Sequence, residues 1–459
     1  MRDNRSFLLL QGVASPFFTE LEIALNKAGY QVLKVNFNGG DLLAGRFFST
    51  AQRHVNYRGK LEDLGDFYTD IFKQYAITDI ILFGDTRPIH QLAIQQAKQA
   101  RIAVHVYEEG YFRPHWVTLE KSGVNAYSQL PKDSDWYLEQ AKQLGNTHND
   151  PVPTGGGLAI RAWHDIRYHL AKTLLKPYFP HYRTHRPDNA LKEYWGFIRR
   201  IPAVKLYFDR KAKKQIRQLL QSQKPFYLLP LQLDADSQIR VHSALKDVTD
   251  VIRQTLKSFA LYAPQDAQLV IKNHPLDPWF VDFPAVIKKA MQQYKIDEER
   301  LIYLEAGDIV SLLKQAKGTI LVNSTVGTSS LSYQCPVKAL GNAIYDLPGL
   351  TFQGSLDDFW TQTTPPDAEL FAAFKQVLIA TTQINGSFYN QKGIAMAVAG
   401  SLPRLHINQQ SAHTARPDNT ANDALYPDDT HSYADLADAP ETITALNTDD
   451  ADSLIRNVS

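Results

Sequence analysis

The chain of 459 residues has one cysteine, Cys335, so no disulfide can form within it. That fits a reducing compartment. No run of eighteen consecutive apolar residues exists, so no segment reads as a membrane span. The apolar run near the N-terminus, Phe7 to Leu10, is too short for a signal peptide. Gly12 does not open a Gly-x-Gly-x-x-Gly pattern, and the phosphate-loop and His-Glu-x-x-His motifs are missing, which disfavours nicotinamide-dinucleotide, P-loop and zinc-protease chemistry. The histidines show no metal-binding spacing. No metal, cofactor or nucleic-acid partner is expected, and no repeat of solenoid length is visible. Secreted, disulfide-stapled and integral-membrane proteins are all disfavoured.

What remains is an ordinary globular composition, 44% hydrophobic and 21% charged. The net charge of +1 hides an asymmetry. From Ser411 to Ser459 there are ten Asp/Glu against two Arg, leaving 47 basic and 38 acidic side chains in the rest. The tail 411–459 has little apolar periodicity and reads as disordered and acidic.

Strands and helices alternate along the first 110 residues. The apolar runs Ser6–Gln11, Gln31–Phe37, Asp79–Phe83 and Ile102–Tyr107 read as strands. Ser15-Pro16 is a helix start and Gly29 a stop. A second series follows from Pro225. Strands are expected at Phe226–Pro230, Gln268–Lys272, Leu301–Leu304, Thr319–Val322 and Val337–Leu340, with helices near 241–261 and 284–294 and a cap at Asp308. Such alternation implies parallel sheets. The expected fold is α/β, with two Rossmann-like domains facing a central cleft. The expected segments are an N-terminal domain 1–150, a basic aromatic helical linker 151–222, a C-terminal domain 223–385, a closing segment 386–410 and the tail. Within the linker, Arg161 to Arg217 carries fifteen Lys/Arg against four Asp/Glu, a net +11, and ten aromatics. Its helices are expected to break at Pro177, Pro180, Pro187 and Pro202.

Ligands of parallel α/β sheets gather at the carboxyl ends of the strands. Polar residues crowd these ends: Gln11, Asn38, Asp85, Arg87 and Arg113 in the first half, then Gln232, Ser237, Gln238, Lys272, His274 and Pro275, with Asn323, Ser324 and Thr325. Glu108-Glu109 directly follows an apolar strand. Neighbouring strand residues point to opposite faces, so one of the two is expected to face the cleft as base or nucleophile. Lys272 and His274 offer a cation and an imidazole to a phosphate. Asn323-Ser324-Thr325 offers hydroxyls and N–H groups at a helix start, which suits an anion. Cys335 reads as buried and inert.

The texts FLLLQGVASPFF, VNFNGGD, NYRGKLED, FGDTRPIH, HVYEEGYFRPHWVTLE, LPLQLDADSQIRVHS, IKNHPLD and NSTVGTSSL resemble the capsule polysaccharide biosynthesis/export family, in particular its KpsS type. The similarity runs from about Phe7 to Ala399. It implies a cytoplasmic glycosyltransferase of GT-B architecture on the inner-membrane surface. Such an enzyme moves β-Kdo, an eight-carbon acidic sugar, from CMP-Kdo to a (lyso)phosphatidylglycerol acceptor, starting a poly-Kdo linker, and works beside other capsule proteins. The Glu-Glu-Gly and His-Pro motifs also resemble those of sialyltransferases that use CMP-sialic acid. The resemblance favours Glu109 as the nucleophile of a retaining reaction, with Glu108 orienting it and His274 assisting departure of CMP; no divalent metal is expected, because CMP carries only one phosphate and the sequence shows no ligand cluster. The donor phosphate and sugar carboxylate would then lie on Lys272, His274, Ser324 and Thr325. The alternatives are a non-catalytic export or scaffold component and a nucleotide-sugar epimerase. A lipid acceptor would give the basic aromatic segment a role at the membrane, with Arg199, Arg200, Lys211, Lys213 and Lys214 facing the leaflet and each contributing about 1 kcal/mol.

Overall fold

Runs rich in Leu, Ile, Val and Phe become strands that are buried on both faces. The computed structural model describes residues 5–46, 53–145, 150–155, 157–184, 190–233 and 245–407. The first-half strands are β1 (Ser6–Leu9), β2 (Gln31–Asn36), β3 (Arg53–Asn56), β4 (Asp79–Phe83), β5 (Ala103–Glu109) and β6 (Trp116–Lys121). The second-half strands are β7 (Phe226–Pro230), β8 (Gln268–Lys272), β9 (Leu301–Leu304), β10 (Gly318–Leu321), β11 (Val337–Ala339) and β12 (Gln383–Asn385). One sheet has the order β12-β6-β5-β4-β1-β2-β3, the other β11-β10-β7-β8-β9. β1 runs parallel to both neighbours, with Leu8 opposite Leu33 and Ile80. The second sheet is parallel throughout, with Leu229 opposite Ile271. Helices cover both faces, which is why Phe7, Leu8 and Leu9, and Leu269, Val270 and Ile271, are wholly buried in succession. Each such side chain contributes roughly 1.5–3 kcal/mol of burial. This is the expected two-lobed α/β fold.

The local signals behave as their chemistry requires. Ser15 Oγ accepts the Phe17 N–H at 3.3 Å beside helix Phe17–Lys27, and Gly29 turns the chain at φ +91°. Asp308 caps Ile309–Leu313 by accepting from Val310 N and Ser311 N. Cys335 is buried, and burial pushes its thiol up to about 11.

Several features differ from expectation. β6 and β12 run antiparallel at one edge of the first sheet. β12 lies at the far end of the expected second domain, yet it pairs with Thr118, Val117 and Trp116 of β6. The chain therefore returns to the first lobe before residue 386. Helix Ala368–Thr381 packs on helix Ser134–Leu144, with the Tyr137 and Phe374 rings 5.0 Å apart, and helix Gln391–Arg404 packs on Phe17–Lys27. Pro202 does not end its helix. It sits in the last turn of Ala190–Ala203, and the chain continues through one π turn, Val204–Phe208, into Asp209–Ser222. Helix Val248–Tyr262 begins at its Asp247 cap, while the expected start near 241 lies outside the described residues, as do Pro187 and the tail.

Helix Leu158–Leu174 lies hard against helix Gly39–Arg46. A Cβ on Gly39 would collide with the backbone oxygen of Ala171, and one on Gly40 with the Tyr168 ring. Gly39→Ala must push the two helices apart. It should cost about 1–3 kcal/mol in urea unfolding with far-ultraviolet circular dichroism retained. Unchanged stability would mean that the contact yields freely.

Candidate active site

β5 ends at the pair Glu108-Glu109, and pleating sends the two carboxylates into different surroundings. Glu109 Oε1 accepts the Tyr389 hydroxyl at 2.8 Å and lies 3.5 Å from Arg161 Nη1. Burial alone would raise its pKa. Arg161, Arg113 and the Tyr389 hydrogen bond outweigh that and hold it below the usual carboxylate range. Glu108 turns toward the end of β4, where its Oε2 would lie 3.6 Å from a Cβ on Gly84. Its Oε1 accepts the Glu109 N–H at 3.0 Å. Burial, reinforced by the Glu109 charge, raises Glu108 to about 7 despite that bond and the cations of Arg113 and Arg87. One carboxyl is thus ionised and its neighbour half-protonated near neutrality, the split that separates a nucleophile or base from an acid.

Across the cleft, β8 delivers Lys272 and the turn Asn273-His274-Pro275. Lys272 is buried, and burial together with Arg200 lowers it to about 8 against the pull of Asp308. Its only hydrogen bond among the described residues is a long one, 3.5 Å, to Asn273 O. His274 Nδ1 accepts the Leu276 N–H at 3.0 Å, so the ring proton sits on Nε2. Burial, then Lys272, Arg113, Arg200 and Arg161, push the ring down to about 3. His274 is therefore a neutral N–H donor in a cationic setting. Arg113 and Arg161 act on both Glu109 and His274, so the two lobes share one field.

The His-Pro turn is held from the linker. Arg200 donates to the backbone oxygens of Pro275, of His274 at 3.1 Å and of Glu305 at 3.1 Å, and pairs with the Glu305 carboxylate at 3.4 Å. Asn273 Nδ2 bridges Asp277 and Glu305 at 3.0 Å each. Arg200 is only 3% exposed, which corrects its expected place among the leaflet-facing cations: it is spent on the turn.

Of the other candidate residues, Gln232 and Asn323 join the ends of β7 and β10, with Gln232 Nε2 donating to Asn323 Oδ1 at 3.1 Å. Ser324 Oγ accepts from Val326 N at 3.2 Å. Thr325 lines a small interlobe pocket with Tyr111, Asn125, Asn323 and Thr328, closed by a 2.9 Å bond from Thr328 Oγ1 to Tyr111 O. Gln11 and Asn38 are buried in a network with Asp41, Tyr168 and Tyr182, and Arg87 donates to Gln11 Oε1 at 3.0 Å. Asp85 accepts from Val124 N at 2.8 Å. These groups brace the first lobe and the linker. Arg113 is exposed. Ser237 and Gln238 lie outside the described residues.

A sequence profile of the family described as capsule polysaccharide biosynthesis protein matches residues 78–389. The chain belongs to that family. It is 37% identical over 393 residues to the capsule polysaccharide modification protein LipB of Neisseria meningitidis serogroup B, covering 84% of this chain and 92% of that one. It is 35% identical over 385 residues to the capsule polysaccharide export protein KpsS of Escherichia coli, covering 84% and 97%. Among solved structures it is similar to Thermosulfurimonas dismutans KpsC, a beta Kdo 2,7 transferase, at 13% identity and TM-score 0.40, covering 87% and 99%.

Nothing in the sequence marks Arg161 or Tyr389 as a site residue. Arg161 opened the basic segment, where nothing separated it from fourteen other cations. Tyr389 lies 280 residues from its partner Glu109, and no local pattern marks it.

The raised pKa of Glu108 fixes a sign. Unfolded, the group loses its proton near 4.5; folded, it keeps it to about 7. Its contribution to stability is full below 4.5 and is lost as pH rises through 7. Glu120, also raised by burial to about 7, adds the same slope. Stability should therefore fall less steeply between pH 4.5 and 7 in Glu108→Gln than in the wild type, while the opposite slope from His274 is common to both. Parallel melting-temperature profiles would place the Glu108 proton elsewhere.

Proposed function

We propose that the protein is a retaining glycosyltransferase that moves β-Kdo from CMP-Kdo to a (lyso)phosphatidylglycerol acceptor. The reaction would start the poly-Kdo linker of a capsular polysaccharide on the cytoplasmic face of the inner membrane. The observation that carries this reading is the carboxylate of Glu109, held ionised by Arg161 and Arg113, which shares those two cations with a neutral N–H donor, His274, of the other lobe. That arrangement suits a sugar nucleotide with one phosphate and one sugar carboxylate. The Escherichia coli relative, named for capsule polysaccharide export, supports the pathway.

In this reading Glu109 attacks the anomeric carbon of Kdo. The bond from that carbon to the CMP phosphate oxygen breaks, and its electron pair leaves with CMP. His274 Nε2–H donates to that phosphate oxygen, and Lys272 balances its charge. The acceptor hydroxyl then attacks the same carbon from the face CMP has left, its proton passes to water, and the bond from that carbon to Glu109 breaks with its electron pair returning to the carboxylate. Two inversions return the β configuration. Arg161 and Tyr389 keep Glu109 ionised for the first step, and in this scheme Arg113 would meet the sugar carboxylate. No metal enters the scheme.

CMP release from CMP-Kdo, measured with and without phospholipid acceptor, tests the reading. Release should require the acceptor, persist in EDTA and fall roughly 10³-fold or more in Glu109→Gln. Acceptor-independent formation of a free isomer would identify an epimerase. Capsule assembly unimpaired by loss of both glutamates would identify a non-catalytic export component.

His274→Ala removes one hydrogen bond to a charged phosphate, worth about 1.5–3 kcal/mol. CMP affinity by calorimetry should drop roughly 10–100-fold, and unchanged affinity would remove His274 from the donor site.

A further inference from the structure

Among the described residues no helix is long and apolar enough to cross a membrane. Yet the two linker helices expose large apolar side chains. On Leu158–Leu174, Trp163, Ile166, Leu170 and Leu174 recur at spacings of three and four and form one outward stripe; Trp163 is 59% and Leu174 69% exposed. The opposite stripe packs on the first lobe: Arg161 reaches Glu109, His164 contacts Tyr389 O, and Tyr168 donates to Asp41 of the bracing network. Helix Ala190–Ala203 repeats the design. Gly196 and Arg200 face inward, Gly196 against Pro278 and Arg200 onto the His-Pro turn. Trp195 and Ile198 face outward, followed by Leu206 and Tyr207 of the π turn, and these four are between 60% and 73% exposed. Exposed cations accompany the apolar stripes, among them Arg167, Lys176, Arg199, Lys211 and Lys214.

We infer that the outward faces of Leu158–Leu174 and 190–208 are a docking surface for an anionic phospholipid bilayer, with the helices lying in the headgroup plane and their inner faces holding the two halves of the cleft. The occupant follows from the chemistry. Leu, Ile and Trp on one face with Lys and Arg beside them match an interface of acyl chains under negative headgroups. A second copy of the chain fits poorly. A two-fold interface sets a patch against itself, and this segment carries fifteen Lys/Arg against four Asp/Glu. The helices are 17 and 14 residues long, which suits lying on a bilayer rather than spanning it. Because each helix clamps one lobe from its other face, seating on the lipid would hold Glu109 and His274 at the membrane surface. The surface does not rest on the glycosyl-transfer reading, since binding is measured without a nucleotide.

The test is co-sedimentation of the full chain with vesicles of phosphatidylcholine containing 30% phosphatidylglycerol, against pure phosphatidylcholine. The wild type should bind the anionic vesicles, and raised salt should release most of it, since charges are screened within roughly 8 Å at physiological ionic strength. The triple variant Trp163→Ser, Leu170→Ser, Leu174→Ser should bind about tenfold more weakly or worse, with its far-ultraviolet circular dichroism retained, because the three side chains are more than half exposed. Lys211→Glu with Lys214→Glu should weaken binding to anionic vesicles only. Arg200 is left intact, because it holds the His-Pro turn. The proposal is overturned if the wild type does not bind anionic vesicles, as it would not were the stripe covered by the acidic tail. It is equally overturned if the triple variant binds undiminished. A wild-type dimer in light scattering that becomes monomeric in the triple variant would assign the stripe to a second copy and also overturn it.

Discussion

The Glu109 carboxylate is the constraint on which the rest of the site depends. Burial works against its charge, so ionisation requires cations and donors to be brought to it. They come from distant parts of the chain: Arg161 from the linker, Arg113 from the loop after β5, and Tyr389 from the segment after β12. The return of the chain to the first lobe is what brings Tyr389 to Glu109. β12 pairs on the edge strand β6, and Asn385 Nδ2 ties back to His115 O at 2.8 Å, which sets the turn bearing Tyr389 above β5. The Arg161 guanidinium in turn stacks over the Tyr389 ring at 4.6 Å, so the two partners of Glu109 also hold each other.

The second lobe is organised around a cation instead. Arg200 and Glu305 form an ion pair with little exposure, and such pairs gain little net stability because desolvation offsets attraction. What the pair secures is position. Every backbone oxygen that Arg200 touches belongs to the His274-Pro275 turn or to the residue after β9. That fixes the Leu276 N–H against His274 Nδ1 and hence the tautomer. One linker thus supplies the partner of the anionic half of the cleft and the brace of its neutral donor.

Much of this was legible in the sequence. The strands of both sheets showed as short apolar runs between glycines, prolines and caps, and the strand-end rule placed Glu108, Glu109, Lys272 and His274 where they are. The antiparallel edge was not legible, because β12 is three residues long and β6 alternates apolar with polar residues like any exposed strand. The long-range partners were not legible either. Spacing encodes only contacts within an element, whereas Arg161, Tyr389 and Arg200 act across tens to hundreds of residues. Gln11 and Asn38 satisfied the strand-end rule, but Tyr168 of the linker covers them and turns cleft residues into braces.

The basic segment shows why a charge count is too coarse to locate a surface. Its net +11 mixes cations of two kinds. Arg161 and Arg200 have carboxylate partners, lie on the inward stripes and are partly or wholly buried. Arg167, Arg199, Lys211 and Lys214 lie in water. The helical period does this sorting, since residues three and four apart share a face and those two apart do not. Arg199 and Arg200 are neighbours in sequence, yet one faces solvent and the other is 3% exposed. The same period places the apolar stripe of Leu158–Leu174 opposite the stripe that touches Glu109. A substitution on one face therefore acts on the other only through the rigid helix between them, which is why surface and site can be tested separately although they share a backbone.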